Sequence, residues 1–252
     1  MIDKLVLQTG ADIPFMIGRL VIHQPSLYEI GLIGGEKPFW QGCDILSVDK
    51  KNITNMDKNV IDNNTNFNII MSIINNKDIE VKKQSMDCMK VLSIIFPNYQ
   101  IKIGQDKISF FKDDVEGFLD NHNFENFQQI VKDIFVLSKV KGEEYKPANA
   151  KAAELAAKMM KGRVKAAASK PKTAATNFID RYISILSVGE HKNQTDICKL
   201  TIYQLFDEFE RFQLNLAYEA NIKARLAGAT GLDEPKNWME DLQTQNENLT
   251  LN

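Results

Sequence analysis

Residues Leu200–Ala227 read LTIYQLFDEFERFQLNLAYEANIKARLA. Ile202, Leu205, Phe209, Phe212 and Leu216 recur at intervals of three and four, which predicts one long amphipathic helix with an a/d-like seam. Its acids (Asp207, Glu208, Glu210) come early and its bases (Lys223, Arg225) late, the order a helix dipole favours. Gly228 is the expected stop. Just upstream, Phe178–Gly189 (FIDRYISILSVG) places Phe178, Tyr182, Ile185 and Leu186 on one helical face, with Gly189 as the expected glycine cap and Thr195 or Asp196 capping the next start. The two helices form a C-terminal helical hairpin, residues 176–228. About 50 residues bury too little surface to stand alone, so the greasy side of this hairpin needs the N-terminal domain, a second copy or a partner.

Outward from that unit the composition changes twice. Residues 229–252 form an acidic tail containing Asn237–Leu242 (NWMEDL), where Trp238, Met239 and Leu242 share one face of a helical turn. Either Trp238 packs back on the chain's own helices or it is the centre of a short linear anchor. Residues 141–175 form an Ala/Lys-rich segment, and between Lys139 and Lys172 ten bases face three acids. With so thin an apolar stripe it reads as a solvated helical connector between Pro147 and Pro171. Docking to an acidic protein face or to nucleic acid is the alternative, but no aromatic residue lies between those prolines to stack on bases.

Residues 1–140 mix both periodicities and read as a helix-rich α+β domain. Phe15–Ile22 (FMIGRLVI) predicts a strand; Ser26–Gly34 (SLYEIGLIG) and Pro38–Val48 predict short helices joined through Gly34 and Gly35. Asn52–Asn68 reads as loop, and Phe67–Ile74 as an apolar helix. Ser85–Phe96 follows as a helix with Met86, Met89, Val91, Leu92 and Ile95 inward. Tyr99–Ile103 and Lys107–Phe111 alternate around Gly104-Gln105-Asp106, a short β-hairpin. Asp113, Asp114 and Glu116 are then expected in the first turn of a following helix, and Phe124–Leu137 is amphipathic at helical spacing. The fold class is therefore α+β and predominantly helical.

The chemistry-bearing residues are sparse. The chain has 252 residues, 44% hydrophobic and 25% charged, with a net charge of −2, so a core is buried and the whole chain is no electrostatic nucleic-acid or membrane binder. The longest charge-free run, Asn63–Asn76, is 14 residues, short of the ~20 a membrane-spanning helix needs. The first residues show no apolar secretory core, and a soluble intracellular protein is expected. Cys43, Cys88 and Cys198 are isolated, as reduced thiols are. His23, His122 and His191 have no ligand-type neighbour at metal-binding spacing, and no phosphate-loop, dinucleotide, metalloprotease or hydrolase motif occurs. No catalytic residue, metal or cofactor is expected.

The phrases FIDRYISILSVG, LTIYQLFDEFERF, KARLAG (Lys223–Gly228) and NWMEDL resemble tail-assembly proteins of tailed bacteriophages, in particular tail assembly chaperones encoded beside the tape-measure gene. The resemblance covers about half the chain and rests on helix order rather than invariant chemistry. It implies a non-enzymatic protein of the host cytoplasm that coats the tape-measure protein and recruits tail-tube subunits during virion morphogenesis. It implies Phe209, Phe212, Leu216, Trp238, Met239 and Leu242 as partner-binding positions, with itself as a further partner. The α+β region around Tyr99–Phe111 fits that family less well and leaves a structural component of tail or baseplate as the alternative.

Overall fold

The computed structural model describes residues 2–50, 64–76, 78–113, 115–137, 178–232 and 234. Two small antiparallel sheets are embedded in helices, the α+β, helix-rich fold that the mixed periodicity predicts. In chain order the N-terminal elements are α1 (Lys4–Thr9), β1 (Ile13–Phe15), a 3-10 turn (Met16–Gly18), β2 (Leu20–Ile22), α2 (Leu27–Leu32) and α3 (Glu36–Leu46). Then come α4 (Asn66–Ile74), α5 (Ile79–Ile95), β3 (Gln100–Ile103), β4 (Ile108–Lys112), β5 (Val115–Leu119) and α6 (Phe124–Ile134). The C-terminal elements are α7 (Phe178–Gly189), α8 (Gln194–Ile197) and α9 (Ile202–Leu226). The connector 141–175 and, apart from residues 229–232 and 234, the tail 229–252 lie outside the described residues.

Local chemistry sets the starts and stops. Ser26 caps α2 in a reciprocal box with Glu29, and Thr65 caps α4. Gly34 and Gly35, at φ of 109° and 87°, turn the chain from α2 into α3, as the glycines predict. Four expectations need correction. The run Phe15–Ile22 is not one strand: β1 and β2 form a hairpin, Ile13 opposite Ile22, because Met16–Gly18 coil and Arg19 turns left-handed at φ 54°. Asp113 and Glu116 begin no helix, and Asp114 lies outside the described residues. Strands β4 and β5 form a second hairpin in the register Lys112↔Val115, with Asp113 at φ 52°, and Glu116 lies on β5 facing Lys107 Nζ (2.7 Å) and Ser109 Oγ (2.9 Å). Those two donors hold the Glu116 carboxyl below its usual range. Asn66 and Asn68 belong to α4 rather than to a loop, and α5 starts six residues before Ser85, leaving Met86 on the exposed side.

The core is aromatic. Phe96 lies against Phe110, Phe127 and Tyr99, and Phe39 against Phe135, all with ring centroids between 4.4 and 5.9 Å. One polar thread crosses it. Gln128 Nε2 donates to the carbonyls of Leu46 (2.8 Å) and Val48 (2.9 Å) and its Oε1 accepts from Asn66 Nδ2 (3.1 Å), so α6 closes the end of α3 onto α4. Burial pushes the Cys88 thiol up to about 12, which leaves it a neutral apolar side chain, and none of the three cysteines forms a disulfide.

Helices α3 and α5 pack closest at Gly42, where a Cβ would stand 2.5 Å from both the Asp87 carbonyl oxygen and Val91 Cγ2. Gly42→Ala is therefore expected to lower stability by about 1–3 kcal/mol through overpacking against backbone, read as a fall in the urea midpoint at unchanged slope.

Candidate interaction surface

The C-terminal helices are built onto the N-terminal region by backbone pairing as well as by apolar contact. Thr201 caps α9 in a second reciprocal box, with Gln204. Its backbone pairs antiparallel with Ser26, the cap of α2. Beside this bridge Leu27 N–H donates to the Leu200 carbonyl and Tyr28 N–H to that of Cys198, both at 2.9 Å, and Gln204 Nε2 reaches the Gln8 carbonyl at 2.7 Å. At the other end, Glu36 Oε1 accepts from Trp40 Nε1 (3.1 Å) and from the first N–H groups of α7, Phe178 (2.9 Å) and Ile179 (3.3 Å). A carboxylate at a helix N-terminus satisfies donors that have no intrahelical acceptor.

Between these two anchors runs a ladder of rings: Trp40, Phe178, Tyr182, Phe206 and Phe209, with Tyr182 stacked on Phe209 at 3.7 Å. Burial, helped by the charge of Glu210, raises the Tyr182 phenol above its usual range, so it stays neutral. Gly189 is no cap. It is helical, and its missing Cβ makes room for the Phe212 ring, which a side chain at that position would strike. The left-handed residue after α7 is His191, at φ 54°, and the caps are Asn193 and Thr201, not Thr195 or Asp196.

Burial along the seam of α9 falls from its N-terminal end outward. Ile202 and Leu205 are fully enclosed, Phe209 is 7% exposed, Phe212 is half-buried, and Leu216 is 49% and Leu226 83% exposed. Phe212 is the last apolar side chain of the helix packed on the core. Phe209 thus packs on Tyr182 of α7 and Phe212 on the core, Leu216 faces outward, and Trp238, Met239 and Leu242 lie outside the described residues. Sequence reasoning missed Glu36, Trp40 and Gly189 as parts of this junction. Glu36 and Trp40 touch a helix some 140 positions away, and no spacing rule reports that.

A charged cluster sits behind the bridge. His23 Nδ1 is 2.8 Å from Asp12 and Nε2 3.3 Å from Glu29, the same carboxylate that accepts from Ser26 N–H and Oγ–H. Burial alone would lower the imidazole, but the hydrogen bonds to Asp12 and Glu29 and their charges outweigh it and raise His23 above its ordinary 6.5. Burial would raise Glu29, and the Ser26 and His23 contacts more than reverse that. Among the described residues no group of three His, Cys, Asp or Glu is arranged to hold a metal ion, and no helix is long and apolar enough to cross a membrane. Two open clefts lie on the three-stranded sheet, one beside Arg19, Lys107 and Glu116 and one beside Gln100, Lys112 and Asp113.

A family described as YomV second domain matches residues 169–243, a span that contains α7 to α9 and all six proposed partner-binding positions. The match relates the C-terminal part of the chain to a phage-associated domain family. No curated protein and no solved structure matches the chain.

Two measurements follow from the geometry. Phe209→Ala should cost about 3–5 kcal/mol of stability, as loss of a buried aromatic does, while Leu216→Ala should stay within about 0.5 kcal/mol, both by urea unfolding. His23 has a raised folded pKa, so its contribution is complete below about 6.5 and is lost as pH rises through the raised value. The stability gap between the native protein and His23→Gln should therefore be larger at pH 6 than at pH 9, by less than about 1 kcal/mol after solvent screening.

Proposed function

We propose that this chain is a non-enzymatic tail assembly chaperone of a tailed bacteriophage, acting in the host cytoplasm to bind the tape-measure protein and to help recruit tail-tube subunits. The observation that carries the reading is the coincidence of the phage-associated match, residues 169–243, with the part of the chain where burial gives way to exposed apolar surface. Recognition of a long helical client calls for apolar anchors outside a stable body, not for a catalytic pocket. Phe209 and Phe212 serve as the root of that surface, and Trp238, Met239 and Leu242 supply the client contact. No cofactor, metal, nucleic acid or membrane enters this role.

A structural component of the tail or baseplate is the second reading, favoured by the α+β N-terminal part with its three-stranded sheet, which a helix-rich chaperone does not require. Mass spectrometry of mature particles separates the two, since a chaperone leaves and a structural protein stays.

Co-expression with the tape-measure protein of the same phage should keep that client in the soluble fraction. The triple variant Trp238→Ala/Met239→Ala/Leu242→Ala should reduce the soluble client several-fold while leaving the melting temperature of this chain unchanged. An equally insoluble client with and without the chain would defeat the chaperone role.

A further inference from the structure

We infer that the chain self-associates through α9, which pairs antiparallel with the α9 of a second copy so that Leu216 faces Leu226 and Glu219 faces Lys223 about a two-fold axis level with Asn221. The inference is independent of the phage reading, because it rests on one stripe of four residues.

Leu216, Glu219, Lys223 and Leu226 follow one another at steps of three, four and three. At 3.6 residues per turn they fall within an arc of about 80°. Glu219 and Lys223 do share a face, since Lys223 Nζ lies 3.2 Å from Glu219 Oε2. All four are open: Leu216 is 49% and Leu226 83% exposed, and the side chains of Glu219 and Lys223 are 50% and 76% exposed. The stripe lies at the same angular position as Phe209 and Phe212, so the seam that holds the first half of α9 to the core simply continues off the body.

What distinguishes this stripe from an ordinary exposed helix face is its palindromic order. Read from either end it is apolar, charged, charged, apolar, with the two charges opposite in sign. A two-fold axis at Asn221 therefore sets every Leu216 on a Leu226 and every Glu219 on a Lys223, and the same register places Ala220 against Ile222, small beside large. A parallel or shifted pairing loses the match: parallel alignment sets Glu219 on Glu219 and Lys223 on Lys223. Such a contact is isologous and closes at two copies, and charges inside an apolar seam fix its register and direction.

The end of the helix agrees with this occupant. One turn beyond Leu226 the partner's helix would meet Phe212, where the body begins; instead Gly228, at φ 90°, ends α9 and Ala229 N–H folds back onto the Ala224 carbonyl. The overlap from Leu216 to Leu226 is only about 15 Å long, which makes this a weak and concentration-dependent dimer rather than an obligate one.

The test is sedimentation velocity on the full chain, in reducing buffer, across a hundredfold range of concentration. The native protein should pass reversibly from monomer to dimer. Glu219→Lys and Lys223→Glu each replace two attractive pairs by two repulsive ones, and each alone should weaken dimerisation at least about tenfold. An equimolar mixture of the two variants should restore it as a heterodimer, because the lysine introduced in one variant then meets the glutamate introduced in the other, and the native Glu219 and Lys223 that remain meet each other. The double variant Glu219→Lys/Lys223→Glu, which keeps the intrahelical pair, should dimerise like the native protein and shows that loss in the single variants is not a folding defect. A native chain that stays monomeric throughout, an association that a single reversal leaves intact, or a mixture that fails to recover would each overturn the inference.

Discussion

Two helix N-termini meet where Ser26 pairs with Thr201, and the placement of α9 depends on that meeting. Each residue is the cap of its own helix and each box is closed by a side chain three positions on, Glu29 in one case and Gln204 in the other. The bridge thus joins two short stretches whose backbone geometry is already fixed by capping, and little further ordering is needed to bring them together. Once joined, Leu27 and Tyr28 donate to the carbonyls of Leu200 and Cys198, and Ile202 and Leu205 enter the common core. The helix direction beyond Phe209 is a consequence.

The second anchor works from the opposite side. Glu36 begins α3 and also caps α7, so a single carboxylate serves two helix N-termini, while Trp40 one turn later supplies the ring on which Phe178 rests. The small C-terminal unit, unable to bury its apolar face alone, takes cover for that face from α1, α6 and Trp40 of α3. The first half of α9 is thereby enclosed, while Leu216 and Leu226 in its second half stay exposed.

Much of this was legible in sequence, and the misses have physical causes. Periodicity located α6 and α9, the glycine pair located the α2–α3 turn, and the alternation around Gly104 located β3 and β4, because each signal is local. The strand β5 was hidden because acids favour both a helix N-terminus and a tight turn, so Asp113, Asp114 and Glu116 cannot choose between them without the register. The role of Gly189 is hidden because a glycine near a helix end serves equally as a left-handed cap or as a gap for a ring, and only the approach of Phe212 decides. The seam on α9 was visible in full, but its division into core and surface was not: Phe209 and Leu216 are alike in spacing and differ only in what α7 brings against them.

That division bears on what the outer half of α9 is for. A seam that had merely run past the edge of the body would be expected to lose its apolar residues altogether, as an ordinary solvated helix does. Here the leucines persist at Leu216 and Leu226, while the two positions between them are occupied by opposite charges. Charges within a seam weaken any apolar cover that does not answer them, and they favour one that presents the same pair in reverse. The chemistry of the stripe is therefore selective about its cover. Selectivity of that kind suits a surface that meets one defined counterpart.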